Sequence, residues 1–134
     1  MPGISKLESW ASMTQTKFDT DVKALGFSFD EKQIKSNKTD YKYSRVVEST
    51  GFTEHLTFKL WNNHSISIEL NVSEDLIYFY EPEIKAHKYV SIKCEAKPSP
   101  KETIFCYQNQ SYDFAIYETK SDFGFFYTAV FYRR

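Results

Sequence analysis

Glu69 and Glu81 are the first side chains in this chain to which chemistry can be assigned. Both fall in stretches that read as extended, and neighbouring strands sharing a cleft would let one act as general acid and the other as base. Nothing in their spacing demands such a cleft, and exposed strand carboxylates are common, so the pair reads as surface charge. His55, His64 and His87 are the only histidines. None has a second ligand at metal spacing, and no metal is expected. Cys106 paired with a distant histidine would make a thiol nucleophile, but no local motif supports it and an inert buried cysteine is the simpler reading. No glycine-rich phosphate loop and no G-x-S-x-G elbow occur among the four scattered glycines. The expectation is a non-enzymatic protein without a cofactor.

What the charged residues do offer is recognition. Glu69, Glu74, Asp75, Glu81 and Glu83 form an acidic block, followed at once by Lys85, His87, Lys88, Lys93, Lys97 and Lys101. Opposite patches on neighbouring elements favour directional docking on another protein. A net charge of −1 argues against a nucleic-acid binder, which needs a basic excess over its phosphate contacts. The aromatic final stretch could stack bases, but basic residues accompany it only at Arg133-Arg134.

The elements that must position these groups follow from length and periodicity. A chain of 134 residues with 18% aromatic content makes one domain, 1–134, able to bury about two thirds of its unfolded surface. Ile4, Leu7, Trp10 and Ala11, then Phe18, Val22 and Leu25, recur at helical spacing and predict two short N-terminal helices. Thr14 is placed to cap the second and Gly26 to close it. Residues 30–40 hold six charged residues and one apolar one, and read as a mobile loop. From Tyr41 onward the period changes to two and turn signals recur about every ten residues. Strands are expected near 41–48, 53–61, 65–72, 76–81, 88–95, 103–108, 111–118 and 124–132. The fold class is α+β, with the two helices packed on a curved, mainly antiparallel meander sheet of about six to eight strands.

Register refines two of these strands. A two-residue loop at Asn62-Asn63 would place Leu56, Phe58 and Leu60 on the face of Ser65, Ser67 and Glu69. A three-residue loop through His64, closed by a left-handed residue, instead pairs Leu60 with Ile66, Phe58 with Ile68 and Leu56 with Leu70. The odd loop is expected, with His55, Thr57, Lys59, Ser67, Glu69 and Asn71 on the wet face. A turn at Ser73-Glu74-Asp75 would next send Leu76, Tyr78 and Tyr80 to the core and leave Ile77 and Phe79 on the other side, where the helices or a partner must cover them. Residues 124–132 are apolar on both faces and predict a central strand.

The N-terminus lacks an apolar signal region and no run of apolar residues reaches a membrane span, so a cytoplasmic protein making no membrane contact is expected. Cys94 and Cys106 flank Lys97-Pro98-Ser99-Pro100-Lys101. A hairpin could bring them into a disulfide in an exported protein, whereas two reduced thiols suit a cytoplasmic one.

The opening, Leu7-Glu8-Ser9-Trp10-Ala11-Ser12-Met13-Thr14 followed by Phe18 to Phe29, resembles the start of small bacterial immunity proteins of secreted toxin–immunity pairs. The likeness covers about a fifth of the chain and transfers no site residue. It implies a non-enzymatic inhibitor that masks a cognate toxin. On this reading the partner-binding residues are Glu69, Glu74, Asp75, Ile77, Phe79, Glu81 and Glu83. The alternative is a carrier of a small apolar ligand in a pocket lined by Tyr78, Tyr80, Tyr112, Phe114 and Tyr127. Oligomeric state is not legible.

Overall fold

The capped N-terminal helix forms as its residues dictate. The computed structural model describes residues 1–134, beginning with α1 (Ile4–Trp10) and α2 (Gln15–Ala24). The Thr14 hydroxyl accepts the Lys17 amide at 3.3 Å. Gly26 takes a φ of +93°, and the amides of Gly26 and Phe27 donate back to the carbonyls of Lys23 and Val22. This closure satisfies carbonyls of the helix's last turn and brings Phe27 into the core. Leu25, expected on the apolar face, is instead substantially exposed.

The strands β1 (Ser28–Ile34), β2 (Lys38–Val46), β3 (Thr53–Trp61), β4 (Ile66–Val72), β5 (Val90–Ile92), β6 (Glu102–Gln108), β7 (Tyr112–Ser121) and β8 (Gly124–Arg133) form one antiparallel sheet. Its order is β1-β2-β3-β4-β8-β7-β6-β5. The β3–β4 register is the one the odd loop requires: Leu60 opposes Ile66, Phe58 opposes Ile68 and Leu56 opposes Leu70. His64 supplies the left-handed residue at φ 68°. β8 is central, flanked by β4 and β7.

Three expectations are corrected. Residues 30–40 are not a loop: they form most of the β1–β2 hairpin, with β1 at the sheet edge and nearly every side chain in water. Charge there is what an edge strand carries against pairing with another chain. The sheet is not one continuous meander, because the four C-terminal strands run back so that the last, not the first, joins β4. Residues 76–81 are not a strand but the first half of α3 (Leu76–Ala86). Asp75 accepts the amides of Ile77 and Tyr78 at 3.0 and 3.2 Å, which starts the helix. Leu76 and Tyr80, four apart, are buried beneath it. The strand expected at 88–95 is accordingly reduced to three residues.

One cluster of 21 buried hydrophobic residues unites Ile4, Leu7 and Trp10 of α1, Phe18 and Val22 of α2, Leu76 and Tyr80 of α3 and one face of the sheet, including Tyr43, Leu56, Phe58, Leu70, Phe114 and Phe131. Each of these large side chains contributes about 1.5–3 kcal/mol on burial. Polar tips within the helical layer are satisfied: Trp10 Nε1 donates to Asp21 at 2.6 Å and the Tyr80 hydroxyl to the Pro2 carbonyl at 2.8 Å. The Arg45 guanidinium ties Glu54 to the last turn of α2, donating from Nε to Glu54 at 3.0 Å and from Nη1 to the Leu25 carbonyl at 2.8 Å. Alternation along each strand therefore sends a second set of residues to a sheet face not built into that core.

Candidate functional site

The residues expected to bind a partner do not share one surface. Glu69 lies on β4 on the face away from the core, paired with Lys59 at 3.2 Å. The other six lie on or before α3. Asp75 caps the helix, and the Glu83 carboxylate accepts the Ile4 amide at 3.0 Å, so both hold the fold. Ile77 and Phe79 are partly buried against the core; because the segment is helical, they do not emerge on an opposite sheet face. Glu74 and Glu81 are exposed, beside the exposed Tyr78. Glu69 and Glu81 share no cleft, which removes the acid–base pairing considered above. The pocket expected from Tyr78, Tyr80, Tyr112, Phe114 and Tyr127 does not form either. Tyr80 and Phe114 pack edge to face at 5.4 Å inside the core, while Tyr78 points to water.

What the structure adds is an aromatic end. Ser121 opposes Gly124 across a two-residue turn, Asp122-Phe123. The Ser121 hydroxyl donates to the Gly124 carbonyl at 2.8 Å and accepts the Phe123 amide at 3.3 Å. Gly124 at φ 118° makes the turn possible, since a side chain there would be strained. The bracing leaves the Phe123 ring fully exposed at the tip, with Phe125 and Phe126 also in solvent and directed to opposite faces of β8. Val72 opposes Tyr127, so the chain leaving β4 toward α3 runs beside this tip. Burial, the 2.9 Å bond to Glu118 and the nearby Asp75 push the Tyr127 hydroxyl up to about 12. Phe52 and Val46, exposed at the β2–β3 turn, lie at the same end of the sheet. Sequence reasoning assigned Phe125 and Phe126 to a doubly buried strand. The signal that could have exposed them is Asp-Phe-Gly, a turn directly before the strand.

A second feature lies on the wet face of β1–β4. Asp30, Glu31, Lys35, Lys38, Asp40, Lys42, His55, Thr57, Lys59, Glu69 and Asn71 border a polar cavity of about 440 Å³. Lys35 approaches Asp40 at 2.9 Å and Lys38 approaches it at 3.6 Å.

At the other end of α3, His87 Nδ1 lies 2.6 Å from Glu8 Oε1, and its Nε2 lies 3.4 Å from Ser5 Oγ. Carboxylate, imidazole and hydroxyl follow the order of a nucleophilic relay. Ser5 is exposed on the first turn of α1, and the contact joins α1 to α3. No three His, Cys, Asp or Glu side chains converge as metal ligands.

Cys94 and Cys106 are joined in a disulfide with their Cα atoms 5.5 Å apart, in place of the two thiols expected. The bond holds the segment after β5 beside Ala115, Tyr117, Val130 and Tyr132, where the two elements enclose a cavity of about 410 Å³. No helix is long and apolar enough to cross a membrane.

Comparison with protein families, curated proteins and solved structures returns no match. The functional reading therefore rests on the surface itself.

Proposed function

We propose that this protein is a non-enzymatic binding domain of the immunity type, which neutralises a cognate toxin through its aromatic end. The observation that carries the reading is Phe123, a fully exposed ring on a braced hairpin tip with Phe125 and Phe126 beside it. Exposed apolar surface with a polar rim marks interaction sites, and a few aromatic anchors supply most of an interface's affinity. Glu74, Tyr78 and Glu81 belong to the same reading as the acidic rim that orients the partner. Asp75 caps the helix that carries this rim, Glu83 ties that helix to α1, Ile77 and Phe79 pack beneath it, and Glu69 falls outside it.

The Cys94–Cys106 bond supports an oxidising compartment as the place of action, in preference to the cytoplasm expected from the sequence. The test is protection. Co-expression with the product of the neighbouring gene in the native host is expected to relieve that product's toxicity. Phe123→Ser should weaken the complex about thirtyfold, the loss of one hot-spot ring, and abolish protection with the fold intact. Full protection by both Phe123→Ser and the double variant Glu74→Arg/Glu81→Arg would overturn the proposal.

A further inference from the structure

The wet face of the N-terminal half-sheet holds more charge than a solvated surface needs, and that charge is partly buried. Asp40, Thr57 and Ser67 are buried although they point away from the core. Asp40 opposes Lys59, and Lys38 opposes Trp61, across the β2–β3 ladder. Lys35 and Lys38 therefore flank one carboxylate that is only 3% exposed, with Lys59 on the opposing strand. Lys35 takes Asp40 at 2.9 Å and Lys59 takes Glu69 at 3.2 Å.

Lys38 is left over. Its nearest carboxylate oxygen is Asp40 Oδ1 at 3.6 Å, beyond hydrogen-bonding reach, although its side chain is 15% exposed. Its ring contact is Trp61, at 5.0 Å to the centroid. Burial, and then the neighbouring Lys59, hold the Lys38 ammonium below its ordinary value. Its ion-pair partner is poorly served in the same place: Asp40 Oδ1 is buried and receives no hydrogen bond. A buried acceptor without a donor is destabilising, because it gives up water without replacing the hydrogen bond. The cavity thus presents a loosely paired cation and an acceptor without a hydrogen bond side by side, with Thr57, His55 and Asn71 around them and Asp30, Glu31 and Glu69 also on its border. Its volume of about 440 Å³ lies within the range of small-molecule sites.

We propose that this cavity binds a small hydroxylated anion, a polyol bearing a phosphate or carboxylate group. The anionic group sits between Lys38 and Lys59, where it relieves the crowding of the two ammoniums. A ligand hydroxyl donates to Asp40 Oδ1. Neither a bare anion nor a neutral sugar meets both requirements. The site is separate from the aromatic end and does not depend on the toxin-binding reading.

The test is a titration of the ¹⁵N-labelled full chain, in dilute phosphate-free buffer, with glucose 6-phosphate, gluconate, inorganic phosphate and glucose in parallel. Glucose 6-phosphate or gluconate should give saturable shifts confined to β1–β4, and which of them binds more tightly identifies the anionic group. Inorganic phosphate and glucose should each bind at least about tenfold more weakly, the loss of one charge-assisted interaction. Lys38→Met, which leaves Asp40 paired with Lys35, should weaken binding by a similar factor with the spectrum otherwise unchanged. No saturable shift with either hydroxylated anion would overturn the proposal. Inorganic phosphate binding as tightly as glucose 6-phosphate, or undiminished binding by Lys38→Met, would do the same.

Discussion

Removing the disulfide by Cys94→Ala/Cys106→Ala tests the stability of the C-terminal half-sheet most directly. The bond closes a loop between residues 12 apart. Loop-closure entropy for that length gives about 3 kcal/mol, the constraint the bond imposes on the unfolded chain. For a domain of this size that is a large share of a total stability of about 5–15 kcal/mol. In urea, at an m value of roughly 1–3 kcal/mol per molar, the midpoint should fall by about 1–3 M. The assay is equilibrium unfolding followed by tryptophan fluorescence, since Trp10 is fully buried, with the wild type run oxidised and reduced. Reduction of the wild type and the double substitution should give the same shifted curve. The reasoning is refuted if oxidised and reduced protein unfold at the same urea concentration. It is equally refuted if both thiols of native, unreduced protein react with a maleimide.

Asp75→Ala removes the side chain that accepts two amides at the start of α3 and should cost about 1 kcal/mol in the same assay, with helix content lowered by circular dichroism. Lys88→Gly should stabilise by about 1 kcal/mol, because Lys88 closes α3 at φ 62°, a conformation that a residue with a Cβ resists. Asp19 is held below its ordinary value by the 2.6 Å hydrogen bond from the Tyr43 hydroxyl and then by Lys23. Its contribution is therefore complete above the unfolded carboxylate's pKa and is lost as pH falls through the lower folded value. Asp19→Asn should lower stability at neutral pH and flatten the acid side of a midpoint-versus-pH curve; an unchanged acid slope contradicts the assignment.

Legibility in the sequence followed local chemistry. Thr14, Gly26 and the Leu56–Leu70 pairing were readable because a cap, a left-handed residue and a period of two each leave a mark within a few positions. α3 reads as a strand in the sequence because Leu76 to Tyr80 alternates as well as it spirals. Asp75 decides the matter: the same residue suits a turn at Ser73-Glu74-Asp75 or a helix cap, and the Ile77 and Tyr78 amides on its carboxylate make it the cap. β1 was misread because an edge strand repels pairing with the same charges that mark a loop. For the candidate surface, the sequence indicated acidic and aromatic residues but not their arrangement. Phe123 becomes an anchor only once Ser121 and Gly124 brace the tip, and Lys38 and Asp40 meet only after residues 30–40 are seen to pair.

The order in which the strands are joined also constrains how the chain reaches this state. Each half of the sheet is a run of hairpins between sequence neighbours, but the seam at β4–β8 unites distant segments. The Thr128 hydroxyl meets Asn71 at 2.7 Å across 57 positions of sequence. Closing so long a loop is costly before the seam's contacts offset it, and nonlocal pairing slows folding. The seam should be the last part of the sheet to zip. Until it does, Leu70 and Val72 on one half and Ala129 and Phe131 on the other remain open to water, and the nascent protein is most vulnerable to aggregation while that final strand is still being made.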